Sequence, residues 1–199
     1  MIIKLSPVRT DAELAVLKAG DALIINGVAL DFSRLEDGST LCVEAVGSEW
    51  VAQPVSRTNG DLVITLVLPH AADAPEFARF PVDIINPADG PVRLPGIELA
   101  PAQPAAIAGV IDWSQVVTQA MKDQAAAEQQ LAQIAAETAA RREVADNAIA
   151  PLQDAVDLDE ATETEVAALK AWKKYRIALI RVPDQPGYPD TIDWPAPPA

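Results

Sequence analysis

Residues 114–149 contain neither glycine nor proline and are rich in Ala, Gln and Glu. All three are strong helix formers, so this run predicts one long helix. It opens at Asp112-Trp113-Ser114-Gln115, where Asp112 can act as cap with Gln115 in capping-box position. The helix's apolar seam is thin, with Met121, Leu131 and Ile134 as its main large members. Such a seam favours an extended, partly exposed helix or a helical hairpin over a strong coiled coil. Self-association through it stays open.

The chain before this run reads differently. Residues 1–95 carry two Asn-Gly pairs between apolar runs. Asn26-Gly27 separates Ala22–Ile25 from Val28–Leu30. Asn59-Gly60 separates Trp50–Val55 from Leu62–Leu68. A type I′ turn needs positive φ at both central residues, which Asn-Gly supplies, so each pair predicts an antiparallel hairpin. Further strands are expected at Ile2–Leu5, Val82–Ile85 and Val92–Leu94. Pro69, Pro75, Pro81, Pro87, Pro91 and Pro95 should keep the later strands short or at edges. Asp11–Lys18 fits a short helix capped by Thr10 or a strand turning at Ala19-Gly20-Asp21. The strand is preferred because Leu23 onward is a natural partner. Residues 96–112, broken by Gly96, Pro101, Pro104 and Gly109, read as a linker.

After the long run, Pro151 predicts a kink or short loop near Ala150. Thr162 and Glu165 form a second capping box, opening a helix from about 163 to Arg181. Val166, Leu169, Trp172 and Leu179 share one face of it, with Tyr175 and Arg176 on the flank. Val182-Pro183 must end it. Residues 183–199 carry six prolines and read as an extended tail, with Tyr188, Ile192 and Trp194 as its large apolar groups. The expected class is α+β: an N-terminal antiparallel β domain (1–95), sandwich-like or barrel-like, the linker (96–112), a helical region (113–182) and the Pro-rich tail (183–199).

Composition narrows the function. Asp plus Glu number 29 against 15 Lys plus Arg, for a net charge of −14. That sign repels nucleic-acid phosphate and anionic membranes. The one cysteine, Cys42, lies in the apolar stretch Leu41-Cys42-Val43, reads as a buried small hydrophobe and cannot make an internal disulfide. The N-terminus lacks a signal-peptide layout, and the longest strongly apolar run, Leu62–Leu68, is far short of a membrane span. A soluble cytoplasmic protein is expected.

No catalytic constellation assembles. The single histidine, His70, leaves a strand beside no nucleophile motif. Neither GxxxxGK[ST] nor GxGxxG occurs, and one Cys with one His makes a zinc site an unsuitable reading. Asp157-Leu158-Asp159-Glu160 suggests calcium at first sight, but EF-hand positions six and twelve hold Thr162 and Ala168 instead of Gly and Glu. No carboxylate pair is marked out among the many acids. No cofactor is expected.

One segment is informative. Residues 153–165 carry six acids and no base, whereas 170–181 carry Lys170, Lys173, Lys174, Arg176 and Arg181 and no acid. The basic stretch is interleaved with Trp172 and Tyr175. Three readings compete: an ordinary helix with Trp172 in a core and lysines in water, nucleic-acid binding, and a protein-recognition surface, where Trp, Tyr and Arg are enriched.

Three blocks add to this: Ile149–Leu158 (IAPLQDAVDL), Ala167–Arg176 (AALKAWKKYR) and Ile192–Pro198 (IDWPAPP). Their order and spacing resemble the bacteriophage tail fibre assembly family over about residues 120–199. The resemblance implies a phage-encoded accessory protein of the infected or lysogenic host. Members help tail fibre chains fold and trimerise, commonly through the fibre's receptor-binding end, and some relatives stay on the finished tip. No catalytic residues carry over. Trp172, Tyr175, Arg176 and Trp194-Pro195 match the family's signature by position, as partner contacts or as scaffold. The expected function is a fibre assembly chaperone whose partner is the tail fibre protein, with Trp172, Tyr175 and Trp194 as anchors and Arg176 and Arg181 adding orientation. The alternatives are a tip protein on the virion that binds host receptor and an enzyme acting on surface polysaccharide.

Overall fold

A computed structural model describes residues 1–98 and 107–198. The chain falls into two compact units, Met1–Lys122 and Asp123–Ala199. The class is α+β, with strands in the first unit and a long helix and its partner in the second.

The strands of the first unit are β1 (Ile2–Arg9), β2 (Val16–Ala19), β3 (Ala22–Ile25), β4 (Val28–Asp31), β5 (Thr40–Leu41), β6 (Val55–Thr58), β7 (Asp61–His70), β8 (Ile84–Ile85), β9 (Gly90–Pro91), β10 (Ile107–Ala108) and β11 (Val116–Val117). Two one-turn helices, α1 (Val43–Val46) and α2 (Glu76–Arg79), interrupt them. One sheet has the order β11-β5-β6-β7-β1-β8 and the other β10-β4-β3-β2-β9.

Both Asn-Gly pairs make the turns expected of them. Asn26 and Gly27 have φ of 48° and 83°, and Asn59 and Gly60 have 52° and 81°. These positive values close the β3–β4 hairpin at Ile25↔Val28 and the β6–β7 hairpin at Thr58↔Asp61. Residues 11–15 are irregular, and the strand starts only at Val16, where it pairs with β3 through Ala19↔Ala22. The Asn26 side chain steadies that irregular stretch, accepting from Ala15 N–H at 2.7 Å and donating to Glu13 O at 2.9 Å.

The pairing is mixed, which corrects the all-antiparallel expectation. β1 runs parallel to β7 through eight consecutive pairs, Ile2↔Val63 to Arg9↔His70, and β10 runs parallel to β4. Parallel neighbours need a long crossover, and residues 10–60, which include the whole β2–β4 meander, supply it. Ile2–Leu5 is therefore part of a longer strand. Val82–Ile85 shrinks to Ile84–Ile85, and Val92–Leu94 is a non-strand segment tied by Val92 N–H to Val16 O.

One apolar core takes side chains from both sheets, among them Ile3, Leu23, Phe32, Leu41, Leu66 and Leu68, all fully or almost fully buried. Central β7 buries Ile64, Thr65 and Leu66 in succession, so both its faces are covered. Arg57 on β6 bridges to the β3–β4 sheet: Nη2 donates to Asp21 Oδ2 at 2.8 Å and Nε to Leu35 O at 2.6 Å. Cys42 is half-buried, its thiol 3.0 Å from Gln115 Oε1, rather than fully enclosed.

The expected linker, 96–112, lies partly outside the described residues. Within it Ile107–Ala108 extends the second sheet, and Asp112 N–H donates to Ala45 O. Asp112 does cap, but not a long helix. It accepts from Ser114 N–H (3.0 Å) and Gln115 Nε2 (2.7 Å) to close a single 3₁₀ turn, Trp113–Gln115. The reason is tertiary: Trp113 and Val116 pack against the β core, and Val116 pairs with Leu41. α3 (Gln119–Asp157) starts only after that strand.

In the second unit α3 runs unbroken through Pro151, contrary to the expected interruption. Proline removes the N–H that would bond Asn147 O. Both residues are exposed, so water can take the freed carbonyl without breaking the helix. The stop comes later. Asp159 adopts φ 58°, Glu160 N–H donates to Ala155 O and Asp159 N–H to Val156 O. These two bonds and the left-handed residue form a Schellman motif. α4 (Glu163–Ile180) follows.

Candidate binding surface of the helical unit

The capping box at Thr162 is complete. Thr162 Oγ1 accepts from Glu165 N–H at 3.3 Å, and Glu165 Oε2 accepts from Thr162 N–H at 2.7 Å and from its hydroxyl at 2.7 Å. The Thr162 backbone bond first, and its hydroxyl second, hold the Glu165 carboxyl below its ordinary pKa.

From this start α4 packs antiparallel to the later part of α3. Arg176 Nη1 meets Asp146 Oδ1 at 2.8 Å, and Lys173 Nζ donates to Gln153 Oε1. Leu169, Tyr175 and Leu179 are buried, as are Ala145 and Ile149 of α3. Tyr175, Leu179 and Ala145 form a small cluster, with half-buried Trp172 and Trp194 packed against it. The Trp172 and Tyr175 rings meet edge to face, centroids 5.8 Å apart at 81°. This geometry suits the quadrupoles of aromatic rings. Val166, expected on the same face, is 48% exposed.

The tail is more structured than an extended strand. Val182–Asp184 forms a 3₁₀ turn, and turns continue to Asp190. Gln185 clamps the loop by donating Nε2 to Asp193 O (2.8 Å) and accepting Asp193 N–H at Oε1 (2.9 Å). Thr191 N–H donates to Gly187 O at 2.7 Å. A Cβ at Gly187 would lie 2.6 Å from Thr191 O, so the clamp leaves no room for a side chain there. The final stretch then runs along α3. Gln130 Nε2 donates to Pro189 O at 2.9 Å, and the Arg141 guanidinium sits 4.6 Å from the Trp194 ring centroid. The helical rise from 130 to 141 is about 16 Å. The tail covers that stretch of helix between Pro189 and Trp194, its last turn ending at Asp190.

Of the six residues singled out from sequence, Tyr175 is buried, and Trp172, Arg176, Trp194 and Pro195 are half-buried. Trp172, Tyr175 and Trp194 come together in one cluster. Arg176 is engaged by Asp146, and Arg181 is exposed at the C-cap of α4. Sequence reasoning passed over Arg141 and Gln130, because nothing in an Ala-rich helix says which polar residue a distant tail will meet. Among the described residues no group of His, Cys, Asp and Glu could hold a metal, and no helix is long and apolar enough to cross a membrane. His70 ends β7, its Nδ1 2.9 Å from Ala71 O, on an open cleft of about 680 Å³ in the first unit that Asp11, Glu13 and Glu98 also line.

The family model described as Caudovirales tail fibre assembly protein, lambda gpK, matches residues 97–199. That is 103 of 199 residues, slightly over half the chain. The chain belongs to the Caudovirales tail fibre assembly protein family. The match takes in α3, α4 and the tail, so this family is the one to which the hairpin and its aromatic cluster belong. Tail fibre assembly is a non-enzymatic kind of function. Protein TfaD of Escherichia coli is 59% identical over 56 residues, 28% of this chain and 29% of that protein. The tail fiber assembly protein of Escherichia phage lambda is 57% identical over 56 residues, 28% of each. A probable tail fiber assembly protein of Acyrthosiphon pisum secondary endosymbiont phage 1 is 54% identical over 50 residues, 25% of this chain and 31% of that protein. The chain thus matches less than a third of the length of these curated relatives. No solved structure matches it.

Proposed function

We propose that this chain is a phage tail fibre assembly chaperone, acting in the host cell cytoplasm, that binds the fibre's receptor-binding (C-terminal) region and promotes its folding and trimerisation. The observation that carries this reading is the family match over 97–199, which takes in the whole helical hairpin and its tail together with the last elements of the first unit. The physical case is separate. Chains that pair strands with one another expose unpaired edges and apolar surface until assembly is complete. An acidic, soluble partner covers that surface and keeps it from aggregating.

Within this reading the aromatic cluster has a framework role. Tyr175 and Leu179, with Trp172 and Trp194 beside them, hold the tail on the hairpin. Arg176 fixes the pairing of α4 with α3. The open edges of Trp172, Trp194 and Pro195 are the parts of the matched signature available to a partner, and exposed Arg181 lies beyond that signature as an orienting contact.

The test is co-expression with the fibre chain encoded beside it, scoring SDS-resistant fibre trimer with and without this chain. Trimer that forms only in its presence supports the chaperone reading, and equal yield in both cases overturns it. Mass spectrometry of purified particles separates a released chaperone, which is absent, from a retained tip protein. Sizing of the chain alone reports whether exposed α3 positions such as Leu131 support self-association.

A further inference from the structure

We propose that the outer face of α4 is a docking surface for an apolar protein surface ringed with carboxylates; resting on the function proposed above, that surface belongs to the fibre chain. Val166, Lys170, Lys174, Ile177 and Arg181 follow one another at intervals of four, four, three and four residues. At about 100° per residue they fall within an arc of about 80°. The same geometry puts Leu169, Trp172, Tyr175, Arg176 and Leu179 on the opposite side, which is the side the hairpin buries. Val166 and Ile177 are each 48% exposed, and Ile180, on the stripe's flank, is 56% exposed. Lys170, Lys174 and Arg181 are exposed and make no ion pair with any described residue. The stripe is about 22 Å long. Its one acid, Glu163, sits at the N-terminal end.

The remainder of this chain carries a strong negative charge, yet this face is cationic and apolar together. Its complement is acidic and apolar. A second copy meeting the same face about a two-fold axis would bring together two faces that each carry Lys170, Lys174 and Arg181, so an isologous dimer is disfavoured. Nucleic acid would leave Val166, Ile177 and Ile180 unused, and the net charge of −14 opposes phosphate.

The test compares full-length wild type, Lys170→Glu/Lys174→Glu/Arg181→Glu and the single Ile177→Ser variant for binding to the co-encoded fibre chain. The control is Lys4→Glu/Arg9→Glu/Arg93→Glu, the same charge change at exposed positions of the first unit. Far-UV circular dichroism verifies that each variant folds. The α4 triple variant is expected to bind at least about tenfold more weakly, and wild-type binding to weaken with added salt while the triple variant's residual binding does not. Ile177→Ser is expected to lose a few-fold, and the control to stay within about twofold. Equal binding by wild type and the α4 triple variant overturns the inference and leaves the chaperone reading standing. Failure of wild type to bind the fibre at all overturns both. A chain-alone dimer, or a complex with random-sequence duplex DNA, that the α4 triple variant abolishes while still binding fibre would reassign the face and also overturn the inference.

Discussion

The two units are held by different forces. In the first, side chains such as Phe32, Leu23, Leu66 and Leu68 are enclosed by two sheets with almost no solvent contact. In the second, the cluster is Ala145, Tyr175 and Leu179, flanked by two half-buried tryptophans, and polar clamps do much of the remaining work. Gln185 holds Asp193, Gln130 holds Pro189 and Arg176 holds Asp146. A hydrogen bond of this kind contributes about 0.5–1.5 kcal/mol net, and an exposed ion pair less. Dense burial fixes a fold outright, whereas sparse burial with clamps leaves local opening at the low end of the stability range. Regions that rearrange around a partner are drawn from that end.

The sharpest way to break this contrast is to cut each core. Phe32→Ala should destabilise the β unit by about 3–5 kcal/mol, read from urea unfolding. Leu179→Ala should cost about 2–3 kcal/mol, because a thin cluster can collapse more completely around the gap. Its signature should be faster amide exchange in α4 and new protease cuts in 183–198, with β7 amides unchanged. If β7 loses protection to the same degree as α4, the contrast fails.

The cap comes next. Thr162→Ala should cost α4 about 1 kcal/mol. The same box carries a pH dependence. Glu165 titrates lower in the folded chain than in the unfolded one, so its contribution is present above the unfolded carboxylate range and lost as pH falls through the folded value. Glu165→Gln should flatten that acid-side loss in α4 exchange. The smallest effect expected is a gain: Asp159→Gly removes a non-glycine residue from left-handed backbone at φ 58° and should stabilise the hairpin by about 0.5–1 kcal/mol.

The same contrast explains what could be read from sequence. Local chemistry was legible: the two Asn-Gly turns and the Thr162–Glu165 box appear where the residues put them, and the glycine-free run is helical although both its ends moved. Long-range pairing was not. Nothing in Ile2–Arg9 says that β7, some sixty residues on, will be its parallel neighbour. Asp112 signalled a cap correctly, but Trp113 and Val116 were claimed by the β core, so the helix began later. Pro151 looked like a break because its exposure, which makes it tolerable, is not written in its own residue type. For the candidate site, the facing of α4 was partly legible from its periodicity. Where the tail lies was not legible, because the Gln130 and Arg141 contacts that seat it lie outside any local pattern.

Arg141 resting on Trp194 has a practical consequence. An indole under a guanidinium and half shielded from water emits differently from one in free solution, so Trp194 is an optical gauge of whether the tail is seated. Trp172 lies in the same unit, while Trp50 and Trp113 belong to the first. Each unit thus carries its own pair of intrinsic fluorophores. Replacing one pair with phenylalanine would let light follow the arrival of a partner at the other.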